Sequence, residues 1–166
     1  MTATNSSPVH RVAVAGASGR LGHMLIEAGQ ASGDCKLTGA LDIAGSSALG
    51  SDAAAWTGTP AGVAIVSDLR QGLANSQVLI DFTRPEGTLA HLAVCRELGV
   101  KAVIGTTGFS DAQKAQIAEY AKDIAIMLAP NMSVGVNVTF KLLEMAAKAL
   151  ATGYDIEIIE AHHRHK

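Results

Sequence analysis

Apolar positions along the chain fall into two kinds of stretch. Short runs of aliphatic and β-branched residues recur at RVAVAG (11–16), KLTGAL (36–41), VAIV (63–66), VLIDF (78–82), KAVIG (101–105) and IAIML (124–128). Each is too short for a helix and nearly continuous in its apolar character, so each reads as a strand buried on both faces. Longer stretches with apolar residues three and four apart separate them. One covers 20–31, with Leu21, Met24, Leu25 and Ala28 on one face, and a short one covers 69–73. Thr83 with Glu86 has the spacing of a capping box and opens a helix through Leu98; Ser110 with Gln113 does the same for a helix to Lys122. A long helix, apolar on most faces, is expected over 134–150, and DIEIIEA (155–161) alternates like a last strand. The segment 44–62, rich in Gly, Ser, Ala and Thr, reads as an irregular excursion around Trp56. Alternating strands and helices of this kind predict an α/β fold, a doubly wound parallel sheet with helices on its faces.

Composition narrows the function classes. Of 166 residues, 48% are hydrophobic and 17% charged, with a net charge of -2. That balance excludes a disordered chain and offers no basic footprint for nucleic acid. No apolar run approaches the roughly 18 residues of a membrane helix. The opening MTATNSSPVHR lacks the charged-then-apolar pattern of a secretory signal, so a cytoplasmic location is expected. Cys35 and Cys95 lie too far apart for a metal motif or a disulfide framework. The length suits one domain, or one domain and the opening of a second.

The first strand runs into Gly16-Ala17-Ser18-Gly19-Arg20-Leu21-Gly22, a G-x-x-G-x-x-G loop ahead of the first helix. Glycines there permit a tight turn and let a pyrophosphate approach bare backbone, with the helix's first N–H groups facing it. Asp42 ends the second strand about 20 residues further on, where a carboxylate accepts hydrogen bonds from an adenosine ribose. Together these point to a Rossmann-type domain binding a nicotinamide dinucleotide. A carboxylate at position 42 favours the free hydroxyls of NADH and repels a 2′-phosphate. Ile43 supplies no cation, so the expected cofactor is NADH and/or NADPH with a lean toward NADH. Three further loops follow strand ends: Phe82-Thr83-Arg84, Gly105-Thr106-Thr107-Gly108 and Ala129-Pro130-Asn131-Met132. In an open parallel sheet, ligands sit outside those ends.

The chain closes on His162-His163-Arg164-His165-Lys166. Four uses are open to it. His163 and His165 share a strand face and could ligate zinc, although no third ligand stands at suitable spacing, and no metal is expected. A residual tag is disfavoured by the interrupted run. A solvated basic end is the third use. The fourth is a proton donor beside an anion-binding patch, since His titrates near neutrality and Lys and Arg hold carboxylates. A strand followed at once by basic side chains is an unusual terminus, and the chain is expected to be the front part of something longer.

Taken together, VAVAGASGRLG, DFTRPEGTLAHL, VIGTTGF, NMSVGVNV and IEIIEAHHRHK closely resemble the dihydrodipicolinate reductase (4-hydroxy-tetrahydrodipicolinate reductase) family from about Arg11 to Lys166. The glycine loop alone is unspecific; EAHHRHK is highly specific. The resemblance implies a reductase of the diaminopimelate route to lysine. It implies that Gly16, Ala17, Ser18, Gly19, Arg20, Leu21 and Asp42 bind the adenosine diphosphate half of the cofactor. Gly105, Thr106, Thr107, Ala129, Pro130, Asn131 and Met132 would line the nicotinamide side. His162 would be the proton donor, Lys166 a second donor, and His163 a contact to a dicarboxylate substrate.

The sequence departs from that pattern in places. Ile43 stands where many relatives have Arg, and Met132 where Phe is common. The family continues past HHRHK with a DAPSGTA stretch, the rest of a mixed sheet used for tetramer assembly, and a return to the first domain. The expectations are therefore a dinucleotide domain over 1–133 and the opening of a substrate domain over 134–166. A homotetramer is expected of the longer protein. This piece is expected to bind cofactor without turnover. Two rivals remain: another two-domain dehydrogenase of aspartate-family amino-acid metabolism, and a non-catalytic dinucleotide-sensing domain.

Overall fold

The computed structural model describes residues 9–159 and residue 161. Six strands form one sheet: β1 (His10–Ala15), β2 (Cys35–Leu41), β3 (Ile65–Val66), β4 (Val78–Asp81), β5 (Lys101–Ile104) and β6 (Ile126–Leu128). Their order is β3-β2-β1-β4-β5-β6, and every neighbouring pair is parallel. The helices are α1 (Arg20–Ser32), α2 (Leu69–Leu73), α3 (Pro85–Leu98), α4 (Asp111–Tyr120) and α5 (Val134–Ala149). The expected doubly wound α/β fold is present. The direction of winding reverses between β1 and β4, which opens a crevice at their carboxyl ends.

The side-chain alternation of β1 divides the core. Val12 and Val14 pack with Ile26 of α1 and Ala40 on one face. Ala13 and Ala15 pack with Leu73, Leu92 and Ile117, from α2, α3 and α4, on the other. Opposite Val12 and Ala13 the register of β2 jumps from Leu37 to Gly39, so Thr38 is an extra, bulged residue. Its hydroxyl is taken up by Ser76 at 2.9 Å. The excursion between β2 and β3 is closed by Asp52, whose carboxylate accepts the N–H groups of Ala54, Ala61 and Gly62 at 2.8, 2.9 and 2.7 Å. Trp56 in its single 3-10 turn stacks on His23 of α1, with ring centroids 4.5 Å apart.

Two local expectations are corrected. The capping box at Thr83 and Glu86 does not form: α3 begins one residue later, with Arg84 as the N-cap and Pro85 in the first turn. Pro at the first helical position supplies a pre-set φ, and the N–H it lacks would have had no partner within the helix. The Thr83 hydroxyl instead donates to Asp81 at 2.7 Å. The strand over 155–161 is also absent among the described residues, where 155–159 have no ladder and Ile158 and Ile159 are more than 90% exposed. Alternation alone makes no strand; a neighbour must take its N–H and C=O groups. The box of Ser110 and Gln113 forms as expected and opens α4.

The chain divides into two compact units between Pro130 and Asn131. In the second, Ser133 caps α5 by accepting the Val136 N–H, and Asn131 accepts the Ser133 N–H at 2.8 Å. Lys141 and Lys148 both bond Glu144, at 2.7 and 2.6 Å, and hold its carboxyl below the ordinary value.

Candidate functional site

The glycine loop joins β1 to α1 through a turn that only glycine enters comfortably. Gly16 has φ +67, a left-handed conformation costly to any residue with a Cβ. The Gly19 N–H then returns to the Gly16 carbonyl at 3.0 Å, and the Ala17 N–H bonds the Leu41 carbonyl at 3.0 Å. Gly22 is required for another reason. A Cβ there would lie 2.1 Å from the Gly16 carbonyl oxygen, so its absence lets α1 start against the loop.

The start of α1 is electrostatically open. Among the described residues, Gly19 caps it with no side-chain bond, and no acidic residue occupies its first turn. By contrast α2, α4 and α5 are capped by Asp68, Ser110 and Ser133. Uncapped N–H groups and the helix dipole favour an anion at this end.

Asp42 stands across the loop. Its Oδ2 accepts the Ser18 amide N–H at 3.2 Å and the Ser18 hydroxyl; its Oδ1 accepts the Ile43 N–H at 2.8 Å. Gly16, Gly19, Arg20, Leu21 and Asp42 line one groove of about 1280 Å³. Ala17 is fully buried behind it. The facing wall comes from the β4–α3 connection, with Thr83 and Arg84, and from α3 itself, with His91. Bare backbone, an open helix terminus and a carboxylate at the end of β2 fit the diphosphate and ribose of a dinucleotide.

That facing wall is organised by two residues sequence reasoning passed over, Asp81 and His91. Asp81 is 1% exposed and accepts His91 Nδ1 at 2.7 Å, the Thr83 N–H at 2.9 Å and the Thr83 hydroxyl at 2.7 Å. Burial pushes this carboxyl up. The bond and charge of His91, with the two Thr83 bonds, outweigh that push and hold it below the ordinary value. Thr83 in turn lies against the first glycine: its Cγ2 would be 3.2 Å from a Cβ at Gly16. An acid closing the apolar run VLID was the available signal. Cys95, further along α3, is inert by contrast: burial, then the Asp81 charge, pushes its thiol up to about 12.

The remaining expected residues follow β5 and β6 or lie beyond them in the chain. Gly105 follows β5 and donates its N–H to the Asp81 carbonyl at 2.9 Å. Thr106 is buried with its hydroxyl bonded to Thr88 at 2.9 Å, while Thr107 is exposed. Ala129 follows β6 and bonds the Ile104 carbonyl at 3.0 Å; Pro130 ends the first unit. Asn131 and Met132 belong to the second unit. His162, His163 and Lys166 lie outside the described residues. Among the described residues, no cluster of three His, Cys, Asp or Glu could hold a metal, and no helix is long and apolar enough to cross a membrane.

Comparison with known proteins bears on both units. Residues 10–132 match the family "Dihydrodipicolinate reductase, N-terminus", and residues 135–166 match "Dihydrodipicolinate reductase, C-terminus". The 4-hydroxy-tetrahydrodipicolinate reductase of Janthinobacterium sp. (strain Marseille) is 69% identical over 156 residues, covering 94% of this chain and 58% of that protein. Its counterpart from Herminiimonas arsenicoxydans is 67% identical over the same shares. Among solved structures, dipicolinate-bound dihydrodipicolinate reductase from Paenisporosarcina sp. TG-14 superposes with a TM-score of 0.68 at 28% identity, over 84% of this chain and 54% of that one. The chain thus spans 58% of the length of these curated relatives. With the glycine loop, the reversing parallel sheet and both family segments in order, the chain belongs to the dihydrodipicolinate reductase family.

Proposed function

We propose that this chain is the dinucleotide-binding part, with the opening of the substrate domain, of an NAD(P)H-dependent reductase. The reaction is reduction of 4-hydroxy-tetrahydrodipicolinate to tetrahydrodipicolinate, on the route to diaminopimelate and lysine. The observation that carries this is the junction of bare Gly16–Gly22 backbone, the uncapped start of α1 and the tethered Asp42, in a chain of this family. We place the functional boundary at 133/134, three residues past the division into compact units, and the whole protein works as a cytoplasmic homotetramer.

Each residue has a definite task. The first N–H groups of α1 hold the diphosphate, and Asp42 accepts from the adenosine ribose. The absence of a cation at Ile43 tilts the preference toward NADH. The segments Gly105-Thr106-Thr107 and Ala129-Pro130-Asn131-Met132 orient the nicotinamide side. When bound, the reduced nicotinamide would supply a hydride to a ring carbon of the substrate; with one proton from the protein, the 4-hydroxyl leaves as water, which balances the reduction. His162 gives a proton from its imidazole, Lys166 provides a second ammonium donor, and His163 contacts the substrate dicarboxylate.

The decisive experiment is His162→Gln in the enzyme at the length of its relatives. We expect kcat to fall about 100-fold or more while dinucleotide affinity stays unchanged. Loss of both together would contradict the assignment. Dinucleotide binding without oxidation of NADH by this substrate in the wild type would indicate a sensing domain.

A further inference from the structure

Ser18 connects the glycine loop to the acidic end of β2. Its amide N–H and its hydroxyl both donate to Asp42 Oδ2, while Oδ1 takes the Ile43 N–H. A carboxylate offers about four acceptor positions. The protein fills three of them and leaves one on Oδ1, on a residue that lines the groove. The side chain is therefore held in one orientation from the protein side, before any ligand arrives.

We infer that Ser18 is a specificity-determining residue: by fixing the Asp42 carboxylate at the mouth of the groove, it makes the site accept a free 2′-hydroxyl and reject a 2′-phosphate. This rests on the dinucleotide assignment above. An untethered Asp could swing aside to admit a phosphate. A tethered one must first break its two bonds from Ser18, and it otherwise sets negative charge against negative charge. The next residue cannot offset that repulsion, because Ile43 is uncharged and 76% exposed. The cations that line the same groove, Arg20 and Arg84, would be left to meet a phosphate once Asp42 is released. Ser18 acts through Asp42, so its effect should exist only while that carboxylate is present.

The test is equilibrium titration of the 166-residue chain with NADH and with NADPH, followed by nicotinamide fluorescence. Wild type is compared with Ser18→Ala, Ser18→Thr, Asp42→Ala and the double variant Ser18→Ala/Asp42→Ala. In Ser18→Ala the ratio Kd(NADPH)/Kd(NADH) should fall about fivefold, the loss of roughly one hydrogen bond to a charged group. Ser18→Thr keeps both donors and should keep the wild-type ratio, which separates a lost bond from a disturbed loop. In the Asp42→Ala background, Ser18→Ala should leave the ratio where it is. An unchanged ratio in Ser18→Ala, or a shift that persists without Asp42, would overturn the inference while leaving dinucleotide binding intact. A folded wild-type chain that binds neither compound would overturn the dinucleotide assignment itself, and Ser18's role with it.

Discussion

Asp81 carries its charge in a place where burial argues against one. Donors from His91 and Thr83 hold its carboxyl below the ordinary value, against the push of burial. The sign of the stability effect follows. A folded-state value below the unfolded one contributes stability that is fully present above the unfolded carboxylate value, about 4, and is lost as pH falls through the folded value. We therefore expect the melting temperature to drop on acidification below about pH 4. Asp81→Asn should lower stability at neutral pH by about 1–3 kcal/mol and flatten that acid limb, read by thermal melting across pH. An acid limb of undiminished slope in the variant would place its origin elsewhere. Asp42 was legible in the sequence because it sits at a fixed distance past a glycine loop. Asp81 was not, because its partner His91 comes from the next helix and only the folded chain brings them to 2.7 Å. Thr83 shows the same limit: its spacing to Glu86 suggested a cap, but its hydroxyl donates to Asp81 and Arg84 takes the N-cap position.

At the level of elements, α1 is the piece whose placement matters most. It can begin directly against the loop only because position 22 has no side chain. In Gly22→Ala the new methyl meets backbone, which cannot rotate away, so α1 must shift from the loop. We expect a loss of about 1–3 kcal/mol in stability, as for other overpacked sites. Dinucleotide affinity should fall by more than that stability loss alone explains, because the first-turn N–H groups move from the diphosphate. Wild-type affinity in a folded Gly22→Ala chain would contradict this role for α1. The helices were readable where local chemistry decides them, as at Ser110 with Gln113, whose two bonds both form. Among the described residues no ladder forms over 155–159, because alternation states which faces could pair and says nothing about whether a neighbour is there.

For the whole molecule, the alternation of strand and helix established a parallel α/β sheet, since parallel neighbours require crossovers and those crossovers are the helices. Strand order was not readable from that alternation. Each run is apolar on both faces, so nothing in its composition names its neighbour. The structure supplies the order, with the reversal between β1 and β4 that puts Gly16, Asp42 and Thr83 around one groove. The terminal cluster carried the most specific sequence signal, and its chemistry rests on His162, His163 and Lys166 as proposed above. Everything assigned to the first unit depends on that groove holding a dinucleotide. The measurement to make is a titration of the 166-residue chain with NADH and with NADPH, on a sample first shown to melt cooperatively. Saturable binding with NADH equal to or tighter than NADPH is the predicted result. A cooperatively folded chain with no affinity for either would contradict the assignment of the glycine loop and Asp42.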